Sequence, residues 1–331
     1  MKEIKIQEIE NICIGQVEDF VGATGCTVFI SKDGMRAGED VRGGGPASRE
    51  SELLKPLASA NMIHAIVLAG GSAFGLNAGG GVMRYLEEQG IGFDVGVTKV
   101  PLVCQADLFD LTVGDVFTRP DEAMGYAAAK QAMEKPNYQD GNYGAGCGAT
   151  VGKFCGMEYC MKSGIGSYAI QVGDLKVGAV VAVNSLGDIY DWKSGKKVAG
   201  LLSEDKKSFR DTLEVMCESI AVIDNKFIEN TSIGVVITNA GFEKTQLCKI
   251  AGVAQNGYAR SIRPVHTSAD GDSIFAVSVG DIQADPDLTG ELAAYVMSEA
   301  VLRAVKNAKS AYGYPSVEEF ISSSEITPTS I

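Results

Sequence analysis

A threonine that follows an asparagine and opens an apolar run, Asn230-Thr231-Ser232-Ile233-Gly234, places a hydroxyl at a loop-to-strand junction. A hydroxyl is a weak nucleophile at neutral pH and needs an adjacent base. A free α-amine, with a pKa of about 8, can be that base. Breaking the chain before Thr231 would create one beside the hydroxyl it must activate. Downstream, Asp270-Gly271-Asp272 precedes a second apolar run, residues 273–280. Two carboxylates two residues apart at a strand mouth can project to one side. There they could orient an ammonium and a hydroxyl, as the third member of a triad does. An oxyanion needs a donor, and the side-chain amide of Asn184, ending the run 177–184, can serve. Each residue also has a plainer reading. Asn-Thr is at home in a turn, Asp-Gly-Asp in a solvated turn, and Asn184 at the end of any strand. On local sequence alone those plainer readings lead.

Two glycine-rich stretches could line a site. Residues 70–76, GGSAFGL, stand between an apolar run and a helical one, where Gly71 and Ser72 could present free N–H groups to an anion. The stretch lacks the Lys-Ser/Thr of a P-loop and does not fit GxGxxG. It is not a GxSxG elbow, because Phe74 stands where the second glycine belongs. A close-packed strand-to-helix turn is an equal alternative. Residues 142–153, NYGAGCGATVGK, let the backbone approach something closely and end on Lys153, which is either a fixed cation or a solvated lysine beside a loop.

Composition bounds these readings. The chain has 331 residues, 45% hydrophobic and 21% charged, enough for a full core in one domain. A formal charge of -13 repels phosphate backbones and anionic lipid, so neither nucleic acid nor a membrane is expected as a partner. No apolar run reaches membrane-spanning length, no secretory h-region is recognised, and a cytoplasmic location is expected. The eight cysteines are scattered without a CxxC pair, and the only histidines, His64 and His266, are far apart. Small buried thiols are expected, with no disulfide framework, no metal and no cofactor. His64, opening an apolar run, reads as a core histidine.

The elements that must position these residues follow from periodicity and breakers. Strands are expected over 27–31, 64–69, 169–192 in several pieces, 232–238 and 273–280. Helices are expected over about 73–88, 121–134, 209–224, 244–261 and 288–311, the last capped by Asp287 or Thr289. Residues 193–208 read as a surface loop and the tail from Tyr314 as peripheral. Strands and helices without strict alternation favour a layered α+β sandwich, strands inside and helices outside, over a doubly wound parallel sheet.

The pattern as a whole resembles the L-aminopeptidase/D-esterase-amidase family, which includes β-peptidyl aminopeptidases and the nylon-oligomer (6-aminohexanoate) hydrolases. The stretches that carry the resemblance are RGGGPASRESELL (42–54), LAGGSAFGLNA (68–78), GAGCGATVGK (144–153), VAVNSLGDI (181–189), NTSIGVVIT (230–238) and SIRPVHTSADGDSIFA (261–276), in the family's order across about 25–311. The resemblance implies an αββα sandwich of the N-terminal-nucleophile-like type. It implies one domain, cut between Asn230 and Thr231 into an α chain, 1–230, and a β chain, 231–331. Thr231 would be the nucleophile, with Asp270 and Asp272 as its carboxylates and Asn184 and Lys153 as further catalytic residues. Phe109, Gly71 and Ser72 would line a pocket for a small-molecule or short-peptide substrate, and the protein would be a homo-oligomer, a tetramer in relatives. Within the family the sequence resembles the nylon-oligomer branch in having Thr at this position, where β-peptidases have Ser. Cys147, Cys104, Asp107 and Phe109 depart from the pattern near the expected pocket. An ornithine acetyltransferase-like acyltransferase, also self-cleaving before Thr, is the alternative, although its cleavage dipeptide is normally Ala-Thr. A nucleotide- or anion-binding module using 70–75 is the rival outside enzymology.

Overall fold

The computed structural model describes residues 1–219 and 230–323. Ten strands form its main sheet system: β1 Lys2–Ile4, β2 Cys13–Asp19, β3 Thr24–Val41, β4 Ala47–Arg49, β5 Ile63–Ala69, β6 Val103–Asp107, β7 Ile165–Val172, β8 Leu175–Asn184, β9 Thr231–Ala240 and β10 Ser273–Ile282. The α-helices are α1 Ala78–Glu88, α2 Glu122–Glu134, α3 Thr212–Glu218, α4 Lys244–Ser261, α5 Pro286–Asn307 and α6 Val317–Ser323. The strands lie in the order β1-β7-β8-β9-β10-β3-β5-β6-β4, with β2 also on β3.

One long strand divides this system into two sheets. The first part of β3 pairs with β2 and β5, and its last part, from Arg36 to Val41, pairs with β10. Successive side chains on a strand face opposite ways, so each sheet offers two apolar faces, and each finds a different partner. Phe29, Ile66 and Leu68 of one sheet pack against Val180, Ala182, Ile233 and Phe275 of the other. Their alternates Val28, Ile30 and Val67 pack on Val82, Leu86, Ala128 and Ala132 of α1 and α2. Val181, Val183, Val236 and Ile274 pack on Leu247, Ile250, Val296 and Met297 of α4 and α5. The result is the layered helix–sheet–sheet–helix sandwich. Because both faces are covered, the central strands read as near-continuous apolar runs. Among the described residues only two neighbouring pairs, β9/β10 and β5/β6, run parallel, which removes the doubly wound alternative.

Several boundaries differ from the sequence expectation. The turn after β5 is a 3-10 segment, Ser72–Asn77, and α1 begins only at Ala78. α5 begins at Pro286, capped by Asp285, which accepts from Leu288 N at 2.8 Å; neither Asp287 nor Thr289 is the cap. A proline suits the first helical turn because its missing N–H is not needed there. α3 is short: the expected start at Phe209 is instead a bridge to Leu202, the helix ends at Glu218, and 220–224 lie outside the described residues. The 193–208 loop contains a short strand, Lys197–Ala199, pairing with Asp188–Tyr190. The tail is not wholly peripheral. α6 buries Val317 and Phe320, the latter 4.5 Å from the Phe209 ring. No helix among the described residues is long and apolar enough to cross a membrane.

Candidate active site

The register of β9 sets the site. Ile233, Val235 and Ile237 face the layer between the sheets, so Thr231, the first residue of β9 and of the same parity, stands at the mouth of that layer. Its antiparallel partner on β8 is Asn184, in the row of Val180 and Ala182. Opposite residues of an antiparallel pair share a face, so Thr231 and Asn184 are neighbours on the inter-sheet side. On the other flank Asn230 bridges to Asp270 and Ile233 pairs with Ser273. This register sets Gly271 beside Thr231, and Asp270 and Asp272 in the alternate row.

Thr231 is 4% exposed. Its hydroxyl donates to the carbonyl oxygen of Asn230 and accepts from Gly271 N–H at 3.2 Å. The same N–H donates to the Asn230 carbonyl at 2.9 Å. Only glycine fits here, because a Cβ on residue 271 would stand 2.8 Å from Thr231 Oγ1 and 3.0 Å from Gly45 O.

Asn184 is fully buried, and its amide is held at both ends. Oδ1 accepts from Lys153 Nζ at 2.8 Å and Thr150 N at 3.0 Å, and Nδ2 donates to Phe109 O at 2.8 Å. Lys153 also donates to the Asn184 main-chain carbonyl at 3.1 Å. It is 1% exposed, so the solvated-lysine reading fails. Burial pulls its pKa down to about 8, against the opposing charges of Asp270 and Asp110.

The carboxylates hold backbone. Asp272 Oδ1 accepts from Ser232 N at 2.7 Å, and Oδ2 accepts from His266 N at 3.1 Å and lies 3.0 Å from His266 Nδ1. Asp270 Oδ2 accepts from Thr267 N at 2.7 Å. Burial, reinforced by the charge of Asp272, pushes the Asp270 carboxyl up to about 6. With the Asn230–Thr231 bond intact, these contacts fix the residue after Thr231 and the turn before β10. The Thr231 hydroxyl itself meets the glycine between the two aspartates.

The turn at 70–72 stands one layer back. Gly71, at φ 82°, donates its N–H to Asp110 Oδ1 at 2.7 Å, Ser72 donates to Leu108 O at 2.9 Å, and Gly70 to Gly25 O at 3.0 Å. The protein's own acceptors occupy the amides an anion would need, which argues against the anion-binding module. The half-buried Phe109 brings a main-chain carbonyl to Asn184. Cys104 packs in the inter-sheet core, and Asp107 is buried beside Gln105, whose Nε2 donates to it at 2.8 Å. Cys147 lies 3.4 Å from Tyr312 Oη, with its thiol pushed up to about 11 by burial. His64 is a core residue whose Nδ1 accepts from Leu102 N at 3.1 Å.

The site thus brings together Thr231, Asn230, Asn184, Lys153, Asp270 and Asp272, with Phe109 touching through its carbonyl and Gly71 and Ser72 behind it. Sequence reasoning missed Gly271 N–H, Thr150 and His266. The glycine between the two aspartates is the one signal that could have flagged a close backbone approach. Among the described residues no group of three or more His, Cys, Asp or Glu could hold a metal ion.

Residues 5–317 match peptidase family S58. An uncharacterised aminopeptidase of Mycobacterium leprae is 37% identical over 317 residues, spanning 88% of this chain and 85% of its own. A 6-aminohexanoate-oligomer endohydrolase of Kocuria sp. is 29% identical over 90% of this chain and 85% of its own. The solved L-aminopeptidase D-Ala-esterase/amidase of Ochrobactrum anthropi, described as a variant of the Ntn-hydrolase fold, superposes with a TM-score of 0.66 at 16% identity, over 92% of this chain and 86% of that one. The layered sandwich is therefore an Ntn-hydrolase-type fold, and the chain belongs to peptidase family S58, hydrolases of peptide and other amide bonds.

Proposed function

We propose that this protein cuts its own chain between Asn230 and Thr231 and then hydrolyses amide bonds of small peptides or amino acid oligomers through an acyl-enzyme on Thr231. The observation that carries the reading is the Thr231 hydroxyl lying against the carbonyl of Asn230, the bond it would attack, with Gly271 N–H already on that oxygen at 2.9 Å.

In the first reaction Thr231 Oγ1 adds to the Asn230 carbonyl carbon. The carbonyl oxygen gains charge and keeps the Gly271 N–H, a donor placed where charge develops. The C–N bond breaks, the hydroxyl proton ends on the Thr231 nitrogen, and water hydrolyses the resulting ester. In the second, the new α-amine takes the hydroxyl proton while Oγ1 attacks the substrate carbonyl. Asn184 Nδ2 supplies the oxyanion donor, and Lys153 on Oδ1 polarises that amide so that its N–H donates more strongly. The proton passes to the leaving amine and water releases the acyl group. Asp270 and Asp272 hold the loop that carries Gly271 and, through Ser232 N, the strand that carries Thr231.

Relatives named as aminopeptidases support substrates that end in a free amine, and one named as an endohydrolase of 6-aminohexanoate oligomers supports amino acid oligomers. Eight free cysteines support a cytoplasmic place, and the family resemblance supports a homotetramer. Mass measurement under denaturing conditions tests the reading. Fragments 1–230 and 231–331 are expected, and an active preparation of one uncut chain would defeat it.

A further inference from the structure

The hydrogen bonds on Asn184 are unequal. Its Oδ1 is fixed by Lys153 and Thr150, whereas Nδ2 has one partner among the described residues, the carbonyl of Phe109. Where that carbonyl points therefore decides where the second Nδ2–H points. Residues 108–110 are clamped. Leu108 N donates to Ala69 O at 2.8 Å and Leu108 O accepts from Ser72 N at 2.9 Å. Asp110, 2% exposed, accepts from Gly71 N at 2.7 Å on Oδ1 and from Thr24 Oγ1 at 2.8 Å on Oδ2. The carboxylate is tightly seated, since a Cβ on Gly70 would come within 1.9 Å of Oδ2. Nothing in the reaction described above uses this buried acid.

We propose that Asp110 is a positioning residue for catalysis: by pinning Phe109 to the glycine turn at 70–72 and to β3, its carboxylate aims the Phe109 carbonyl and through it the amide of Asn184. The inference rests on Asn184 being the oxyanion donor. It has an electrostatic side as well. The Asp110 charge helps keep the proton on Lys153, as does that of Asp270; Cys160, a thiol pushed up to about 11 by burial, faces the same ammonium. Lys162, Cys147 and Tyr312 also feel Asp110.

The test is a cycle on the full-length protein. Asp110→Asn keeps the volume and removes the charge and one acceptor. Groups that orient a working residue typically change activity by about 10–100-fold, so kcat should fall by that factor with KM within about twofold. The alkaline limb of the pH–rate profile should move to lower pH, because Lys153 loses a neighbour that favours its charged form. In an Asn184→Ala background the same change should cost no further kcat, since the residue it acts through is gone. Should Asp110→Asn fail to fold, Thr24→Val removes one of the carboxylate's two anchors and should give a smaller kcat loss that also vanishes in Asn184→Ala. An undiminished loss in that background, or wild-type kcat and an unmoved alkaline limb, would overturn the proposal. If Asn184→Ala alone turned over like wild type, the assignment of Asn184 would be at fault and this inference would fall with it.

Discussion

Asp272 is the strongest test of how the proposed nucleophile, Thr231, is held. It is 1% exposed and its two oxygens serve different donors, Oδ1 the N–H of Ser232 at 2.7 Å and Oδ2 that of His266 at 3.1 Å. Asp272→Asn preserves the shape and leaves one acceptor where there were two. Whichever way the new amide turns, one N–H, buried at Ser232 or part-buried at His266, faces an NH2 group. A hydrogen bond to a charged group contributes about 1.5–3 kcal/mol, so stability should fall by about 2 kcal/mol, roughly 30-fold in the folding equilibrium. If the oxygen stays on His266, Ser232 loses its anchor, and Thr231 with it. Self-cleavage should then slow by up to about the same 30-fold. Urea unfolding, followed through the single tryptophan, Trp192, in a Thr231→Ala background measures the first quantity. Timed appearance of the 231–331 fragment measures the second. A variant within about 0.5 kcal/mol of its parent, which is the range of ordinary surface substitutions, and cleaving at the parental rate would refute this account of Asp272.

Thr231→Ala should stop both cleavage and turnover while Thr231→Ser retains some of each. Ser232→Ala should be active, and a small fragment starting at Ser232 would move the site by one residue. Self-cleavage starts before any Thr231 amine exists, so its pH profile should report a buried carboxyl. The cleavage rate should rise through about 6 as Asp270, which holds the turn carrying Gly271, ionises, whereas turnover of substrate should fall through about 8 as Lys153 loses its proton, because burial disfavours the charged form of each. Cleavage flat from about pH 5 to 7 would exclude Asp270, and turnover flat to about pH 9 would exclude Lys153. Tyr258 is fully buried and its hydroxyl has no hydrogen-bond partner among the described residues, so Tyr258→Phe should leave thermal stability unchanged or raise it. A loss above about 1 kcal/mol, the worth of an ordinary hydrogen bond, would mean that the hydroxyl is paired.

Much of the architecture was legible because two covered faces make apolar runs, and such runs announce strands. α4 falls on its expected 244–261, and α2 begins one residue inside its expectation. β3 was seen only over 27–31. Its later half, MRAGEDV, carries charges and a glycine, and is a strand because β10 pairs with it. The residue types at the site were readable one by one, but their rows were not. Asp270 and Asp272 could be assigned a face only after the register set Gly271 beside Thr231. Main-chain groups leave no signature of residue type, which is why the Phe109 carbonyl and the Gly271 amide stayed invisible. His266 was passed over because its partner, Asp272, becomes meaningful only through a turn that brings both onto one backbone loop.

β9 lies in the middle of its sheet, antiparallel to β8 from Thr231 to Thr238 and parallel to β10, which continues onto β3. A cut immediately before Thr231 would leave every one of these ladders in place, so the two pieces would stay interlocked through the centre of the sheet. What the cut would change is reversibility. A single chain can refold after a transient opening at any dilution, whereas two pieces that part must find each other again, at a rate that depends on concentration. Maturation would thus make the native state a destination reached once. Its lifetime in the cell would be set by how slowly the central strands separate, and no longer by how readily the sequence folds.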